Sequence, residues 1–504
     1  MEAEFLYQRG VPPQATYLFK HALIQDAAYQ SLLRSTRQQY HQRIAQAVTE
    51  RFPETVETQP ELLAHHYTEA GLSTQAVVYW QRAGKRASER SAYVEAIGHL
   101  RKGLAVLQML PDTPARLQHE LALQTILGPV LIATKGYGAS EVAQVYTRAR
   151  ELCQQLGETP DVFPVLRGLW VFHEARAELQ VARELAEQLL VLAQRLQDPV
   201  YLIEAYLALG CTLYWLGEFA PARVYLEQAM ALYDVQQHGS LAFLYGSEDP
   251  AVVCLSYAAL ALWLLGYPEQ GRRRSTEALT LAQELSHPFS LAFALDLAAW
   301  LHQLRREGQA VQEREAAVIT LSTDQGFPYW VACGSILWGW ALAEQGQSAE
   351  GMAQMCQGIA ACRATGVELQ RPYYLALLAE AYGQAGQADE GLRVLAEALT
   401  AVHTTGEHQH EAELYRLKGE LRLKQDVPDE QEAESCFRQA VDVACQQQAT
   451  SFELRAAMSL SRLWQQQGKR TEAHALLAPI YDWFTEGFDT ADLQEAKALL
   501  DALA

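Results

Sequence analysis

The sequence predicts an all-α solenoid, on three observations. A small residue recurs about every 40 positions, at Gly84, Gly128, Gly168, Gly210, Ala259, Ala298, Gly339, Ala379, Gly419 and Ser461, with successive intervals of 44, 40, 42, 49, 39, 41, 40, 40 and 42. In the cleanest copy Gly210 is followed twelve positions later by Ala222, then by Leu226 and Ala229, the spacing of a two-helix repeat. Composition agrees: of 504 residues 49% are apolar and 20% charged, with Ala, Leu, Gln and Glu dominant.

Residues 1–74 do not follow the repeat. Two aromatic-rich runs, Phe5 to Gly10 and Ala15 to Lys20, flank Val11-Pro12-Pro13 and read as a β-hairpin over 4–20. A helix from about Ile24 to Leu33 and another from about Thr36 to Phe52 should follow. The repeats occupy 75–485, starting at Gly84 with Trp80, Ala83, Ala87, Ala96, Leu100 and Gly103. A small residue is needed where two helices cross closely, and Gly210 facing Ala222 supplies it. Breakers fall between paired helices at Gly217-Glu218-Phe219, Gly266-Tyr267-Pro268, Gly346-Gln347 and Gly386-Gln387. Residues 486–504 read as a capping helix, with Leu493, Ala496, Leu499 and Leu500 on its apolar stripe and Asp492, Glu495 and Lys497 left to water.

This register resembles the tetratricopeptide repeat (TPR), whose pattern is W-x2-L-G-x2-Y, then A-x3-F and Pro, at a 34-residue period. The copies here are longer and degenerate. The resemblance implies a right-handed superhelix of about ten helix-turn-helix repeats of about 40 residues. Phe19-Lys20-His21-Ala22-Leu23-Ile24-Gln25-Asp26-Ala27-Ala28-Tyr29 is similar to the segment closing the winged-helix part of a STAND-type ATPase module. Pro60-Glu61-Leu62-Leu63-Ala64-His65-His66-Tyr67-Thr68-Glu69-Ala70-Gly71 resembles the junction from that module into its TPR tail. Bacterial proteins of this kind often carry a class III adenylate or guanylate cyclase domain. The resemblance thus implies a winged-helix remnant, a chain that begins inside the wing of a larger architecture, and a regulatory tail in signal transduction. ATP binding and cyclization are carried over to no residue.

The search for other chemistry is negative. There is no G-x-x-x-x-G-K-[ST], since Gly84-Lys85-Arg86 and Gly468-Lys469-Arg470 lack the trailing hydroxyl, and no G-x-S-x-G, H-E-x-x-H or G-x-G-x-x-G. No catalytic, cofactor-binding or metal-ligating residue is assigned, and the chain is expected not to be an enzyme. His408-x-His410-Glu411 reads as an inter-repeat loop more simply than as a metal site. In His65-His66, adjacent helical residues point in different directions. A net charge of −20 argues against a nucleic-acid binder; Arg272-Arg273-Arg274 and Arg305-Arg306 read as solvated helix faces. Eight cysteines without a C-x-x-C pair suit reduced, mostly buried thiols. The stretches 251–268 and 325–343 carry no charge, but prolines punctuate them and both coincide with first helices, so buried solenoid helices are expected rather than membrane spans. The first residues lack the features of a secretory signal, so a cytoplasmic protein is expected.

What remains is the inner surface. In TPR proteins the first helix of each repeat lines the concave face, and that offset selects Phe172, His173, Tyr214, Trp215, Trp263, His302 and Trp340 as a groove for a peptide or protein partner. The competing reading is inter-repeat core. The 49-residue interval adds a loop, 236–250, with His238, Tyr245, Glu248 and Asp249 as candidate contacts. The leading function is a non-catalytic interaction and regulatory module reporting to a cyclase or ATPase domain in cis or in trans. The alternatives are the tail of an ATP-dependent LuxR-type regulator, for which no basic recognition helix is evident, and an enzyme assembled across repeats.

Overall fold

The computed structural model describes residues 6–9, 11, 16–157, 162–239 and 248–504. It divides into two compact units, Met1–Leu123 and Gln124–Ala504.

The first unit opens with the hairpin. Strands Leu6–Arg9 and Thr16–Phe19 pair antiparallel, Leu6 opposite Phe19 and Arg9 opposite Thr16. The turn expected at Val11-Pro12-Pro13 lies mainly outside the described residues. Helices Ala22–Ser31 and Arg34–Arg51 follow, each starting two residues before the expected position. The second packs against Pro60–Glu69, burying Ala45, Leu63 and Ala64. The Trp80 indole N–H donates to Thr68 Oγ1 at 3.0 Å, tying that junction helix to Ser73–Glu89, the first helix of the repeat array. Residues 60–74 and the first repeat therefore share one unit.

The array proceeds as helix pairs of which Pro199–Trp215 with Phe219–Leu232 and Pro328–Glu344 with Ser348–Ala364 are typical. Proline stands at the first position of several helices, at Pro199, Pro250, Pro268, Pro288 and Pro328, where its missing N–H costs nothing and its fixed φ suits the helix. The twelve-residue relation is physical. A Cβ at Gly210 would come within 2.7 Å of Leu226 and 3.3 Å of the Ala222 carbonyl, and one at Gly339 would lie 2.7 Å from the Gly351 carbonyl, twelve residues on. Between paired helices Gly217 and Gly346 adopt φ of 80° and 86°, a region that favours glycine.

The second unit coils tightly enough to touch itself. Ala175, at the end of a first helix, accepts from the N–H groups of Glu368 and Leu369; the Trp215 carbonyl accepts from Gln409 N–H at 3.3 Å. One repeat further, the Trp263 carbonyl accepts from Ser451 Oγ, and the Leu304 carbonyl from the Arg455 guanidinium. Each contact joins one repeat to a repeat four or five copies later, so the following turn of the coil packs against the inner helices. Glu486 seals the seam by accepting from the Glu269 and Gln270 N–H groups at the start of Pro268–Leu285, both at 3.0 Å. The last helix, Ala491–Leu503, buries Leu493, Ala496, Leu499 and Leu500. Asp492 departs from its expected place in water, because Arg455 and Arg306 both pair with it.

No helix among the described residues is long and apolar enough to cross a membrane. The stretches 251–268 and 325–343 enter helices Pro250–Leu264 and Pro328–Glu344, both deeply buried.

Candidate functional site

Self-contact corrects the expected aromatic groove. Tyr214 and Trp215 are 0% exposed, Trp340 2% and Trp263 3%. The Trp215 ring packs 5.8 Å from both Tyr257 and Trp300, Tyr214 OH accepts from Gln409, and Trp263 meets Phe452 edge-on at 5.6 Å. Tyr214, Trp215 and Trp263 do lie on the inner helices, but the following superhelical turn covers them, whereas Trp340 packs against the adjacent repeat. Phe172, His173 and His302 stay partly exposed. His173 Nδ1 bonds Glu178 at 2.6 Å and His302 Nδ1 bonds Glu307 at 2.5 Å, so each imidazole clasps the turn that follows its own helix.

Of the 236–250 loop, residues 236–239 and 248–250 are described, and they take separate roles. Asp249 is fully buried and caps helix Pro250–Leu264, accepting from the Ala251 and Val252 N–H groups and from Tyr233 OH. Burial raises its carboxyl to about 6 against those hydrogen bonds. As a structural cap it is corrected as a partner contact. His238 is buried too, its Nδ1 accepting from Asp234 N–H. Glu248 accepts from Tyr137 OH. Tyr245 lies outside the described residues. His408 pairs with Glu411 at 2.7 Å, whereas buried His410 sits edge-on between Tyr373 and Phe452, and burial lowers it to about 4. Arg272 and Arg274 pair with Glu269 and Glu277 on a helix face, as expected.

Among the described residues of the second unit, two cavities lie between inner helices. The first, of about 270 Å³, is a charged channel between the inner helices of the C-terminal repeats. The 40-residue period lines it in rungs. Trp340 Nε1 donates to Glu380 at 3.2 Å, Gln384 donates to Glu344, and Ser459 Oγ donates to Glu420 at 2.6 Å. On its floor Arg416 grips Glu413 through two bonds of 2.9 and 2.7 Å, and Arg455 pairs with Asp492 at 2.8 Å. Burial would raise the Glu413 carboxyl, but Arg416, then Arg455 and His410, outweigh it and hold it at about 2. Glu380 is raised, by burial first and by Glu344 second. At the rim Arg306 and Arg462 share Glu495, while Lys424 stands exposed. The channel offers both signs of charge, a surface suited to a chain that carries both.

The second cavity, of about 70 Å³, lies between the inner helices of earlier repeats and has aromatic walls from Tyr137, Trp170, Tyr257, Phe293, Tyr329 and Trp330. Arg167 Nε pairs with Glu204 at 2.8 Å inside the protein. Burial pushes Glu174 up to about 8, against the pull of Arg167. Arg167 Nη1 and Glu174 Oε1 are buried without hydrogen-bond partners.

The charged channel escaped the sequence reading because its residues sit in otherwise apolar helices at spacings that show only once the helices are aligned. The signal was present: Glu380 and Glu420 fall one residue after the small position of their repeats.

No protein-family model matches the chain. An uncharacterized protein of Rhizobium meliloti (strain 1021) is 27% identical over 464 residues, covering 92% of this chain and 45% of that protein. The chain thus spans less than half the length of the curated relative that it matches. Among solved structures, a Rap protein complexed with competence and sporulation factor superposes with a TM-score of 0.51 at 12% identity, covering 76% of this chain and 99% of that one. The fold is a TPR-like α-solenoid. The apo quorum sensor NprR from B. thuringiensis is more distant, with a TM-score of 0.44 at 11% identity over 74% of this chain and 99% of that one.

Proposed function

We propose that this chain is a non-catalytic interaction and regulatory module that holds a peptide, or an extended segment of a partner protein, in the charged channel of its C-terminal repeats. The observation that carries this reading is the channel itself: carboxylates and guanidinium groups on successive inner helices, among which Glu380, Glu420 and Arg462 each follow the small position of their repeat by one residue, with Arg306, Lys424 and Arg462 at its rim. Such rows suit an extended chain, whose side chains meet successive repeats in turn. The Rap protein, whose fold is shared, is complexed with competence and sporulation factor, which is in keeping with an interaction module.

The module works in the cytoplasm as the repeat tail of a STAND ATPase or class III cyclase protein, in cis or in trans. Partner binding would alter the superhelical pitch and so bias the attached catalytic domain. The junction segments 19–29 and 60–71 support this context, as does a relative more than twice as long as the matched region.

The test is selection of short peptides against the intact chain, followed by affinity measurement on a Lys424→Glu/Arg462→Glu variant with an unchanged melting curve. Peptides that bind the intact chain and lose about tenfold or more in affinity to the variant are expected, since rim charges set steering and register. Equal affinity for both proteins would contradict binding in the channel.

A further inference from the structure

We propose that His41, His65 and His66 form a binding site for a divalent transition-metal ion of the zinc class. His41 comes from helix Arg34–Arg51 and the adjacent pair from Pro60–Glu69, which pack together in the first unit. Neighbouring residues on one helix diverge, yet His41 lies between the two: its ring centroid is 5.7 Å from His65 and 5.0 Å from His66. One ring nitrogen from each residue lies within 4.8 Å of the others, the only such three-ligand group among the described residues. A tetrahedral ion with metal–nitrogen bonds near 2.0–2.1 Å holds its ligands roughly 3.3 Å apart. The observed separations, from 2.8 Å between the Nδ1 atoms of His41 and His66 up to the 4.8 Å limit of the group, bracket that spacing.

The surroundings favour a ligand role. Tyr29 OH donates to Glu69 Oε2 at 3.3 Å and lies 3.0 Å from His41 Nε2. With its one proton committed to Glu69, the Tyr29 oxygen accepts from Nε2–H, which leaves the lone pair of His41 on Nδ1. That Nδ1 faces Nδ1 of His66 at 2.8 Å. A carboxylate and a hydroxyl behind a histidine are the outer partners that fix the tautomer of a metal ligand. Of the charges facing the cluster, Glu69 offsets a bound cation and Arg37 opposes it. Entry is open, because His65 and Glu69 also line a groove of about 550 Å³ together with Trp80, His99 and Lys102. The alternative chemistry is a single proton shared between His41 and His66.

The test uses the full chain, stripped with chelator and titrated with zinc chloride by calorimetry, with cobalt chloride as a spectroscopic probe. One ion per chain is expected, with visible absorption from cobalt in a low-symmetry nitrogen site. His65→Ala, at an exposed position, should weaken binding by about tenfold or more, Tyr29→Phe by about tenfold, and His99→Ala not at all. Lack of saturable binding, or equal affinity in the intact chain and His65→Ala, would overturn the site and leave the shared proton. His65→Ala decides the matter even if His41→Ala or His66→Ala does not fold.

Discussion

The Ser451 hydroxyl donates to the main-chain carbonyl of Trp263 at 2.5 Å across 188 residues of sequence. It is one rung of a ladder. Trp215 with Gln409 and Ala175 with Leu369 repeat the same long step, Leu304 with Arg455 a step one repeat shorter, and together they turn the concave face of an α-solenoid into its interior. Aromatic side chains there bind the chain to itself, and the inner surface left open is charged.

Trp263→Ala should therefore destabilise the second unit by about 3–5 kcal/mol, the cost of emptying a packed aromatic site. Trp215→Ala should behave alike. Denaturant unfolding followed by far-UV circular dichroism measures both. A loss within about 0.5 kcal/mol, as expected of a surface side chain, would mean that the rings lie in an open groove after all.

Two glycines should respond in opposite directions. A Cβ on Gly138 would stand 2.2 Å from the Gly366 carbonyl oxygen, backbone against backbone, so Gly138→Ala should lower the melting temperature by several degrees. Gly98 is an exposed residue inside helix Tyr93–Leu107 with open space around its Cβ position, so Gly98→Ala should stabilise by about 0.5–1 kcal/mol. Thermal melts of both variants decide this, and a stabilised Gly138→Ala would contradict the close approach of the two turns.

Stability should be pH-dependent at both ends. The Glu174 carboxyl, pushed up to about 8 in the fold, keeps its proton where the unfolded chain has lost it; its contribution is complete below pH 4.5 and disappears as pH rises to about 8. Glu413, held at about 2, acts in the opposite sense, contributing above pH 4.5 and losing that contribution as pH falls towards 2. Glu174→Gln should flatten the decline between pH 5 and 8 and leave the acid limb intact. Urea midpoints across that range test it, and an unchanged slope in the variant would refute the burial of that carboxyl.

The repeat register was legible because helix crossings demand small residues at fixed positions, and Gly210 with Ala222 advertises that demand locally. The buried seam was not. Whether Trp215 faces solvent or Gln409 depends on superhelical pitch, which accumulates over five repeats and leaves no local mark. Asp249 reads as a loop charge until the start of the following helix is known, at which point its place before Pro250 makes it a cap. His65-His66 seemed divergent on their own helix, and only the packing of a second helix set His41 between them.

The most direct test of the charged channel is hydrogen–deuterium exchange of the intact chain with and without a saturating selected peptide. Slowed exchange in the inner helices Arg371–Gln384, Glu411–Leu423 and Thr450–Gln466, with their outer partners unchanged, is the predicted result. Protection confined to outer helices such as Ala388–Thr405 and Glu430–Gln447 would place the partner on the convex face and contradict the account.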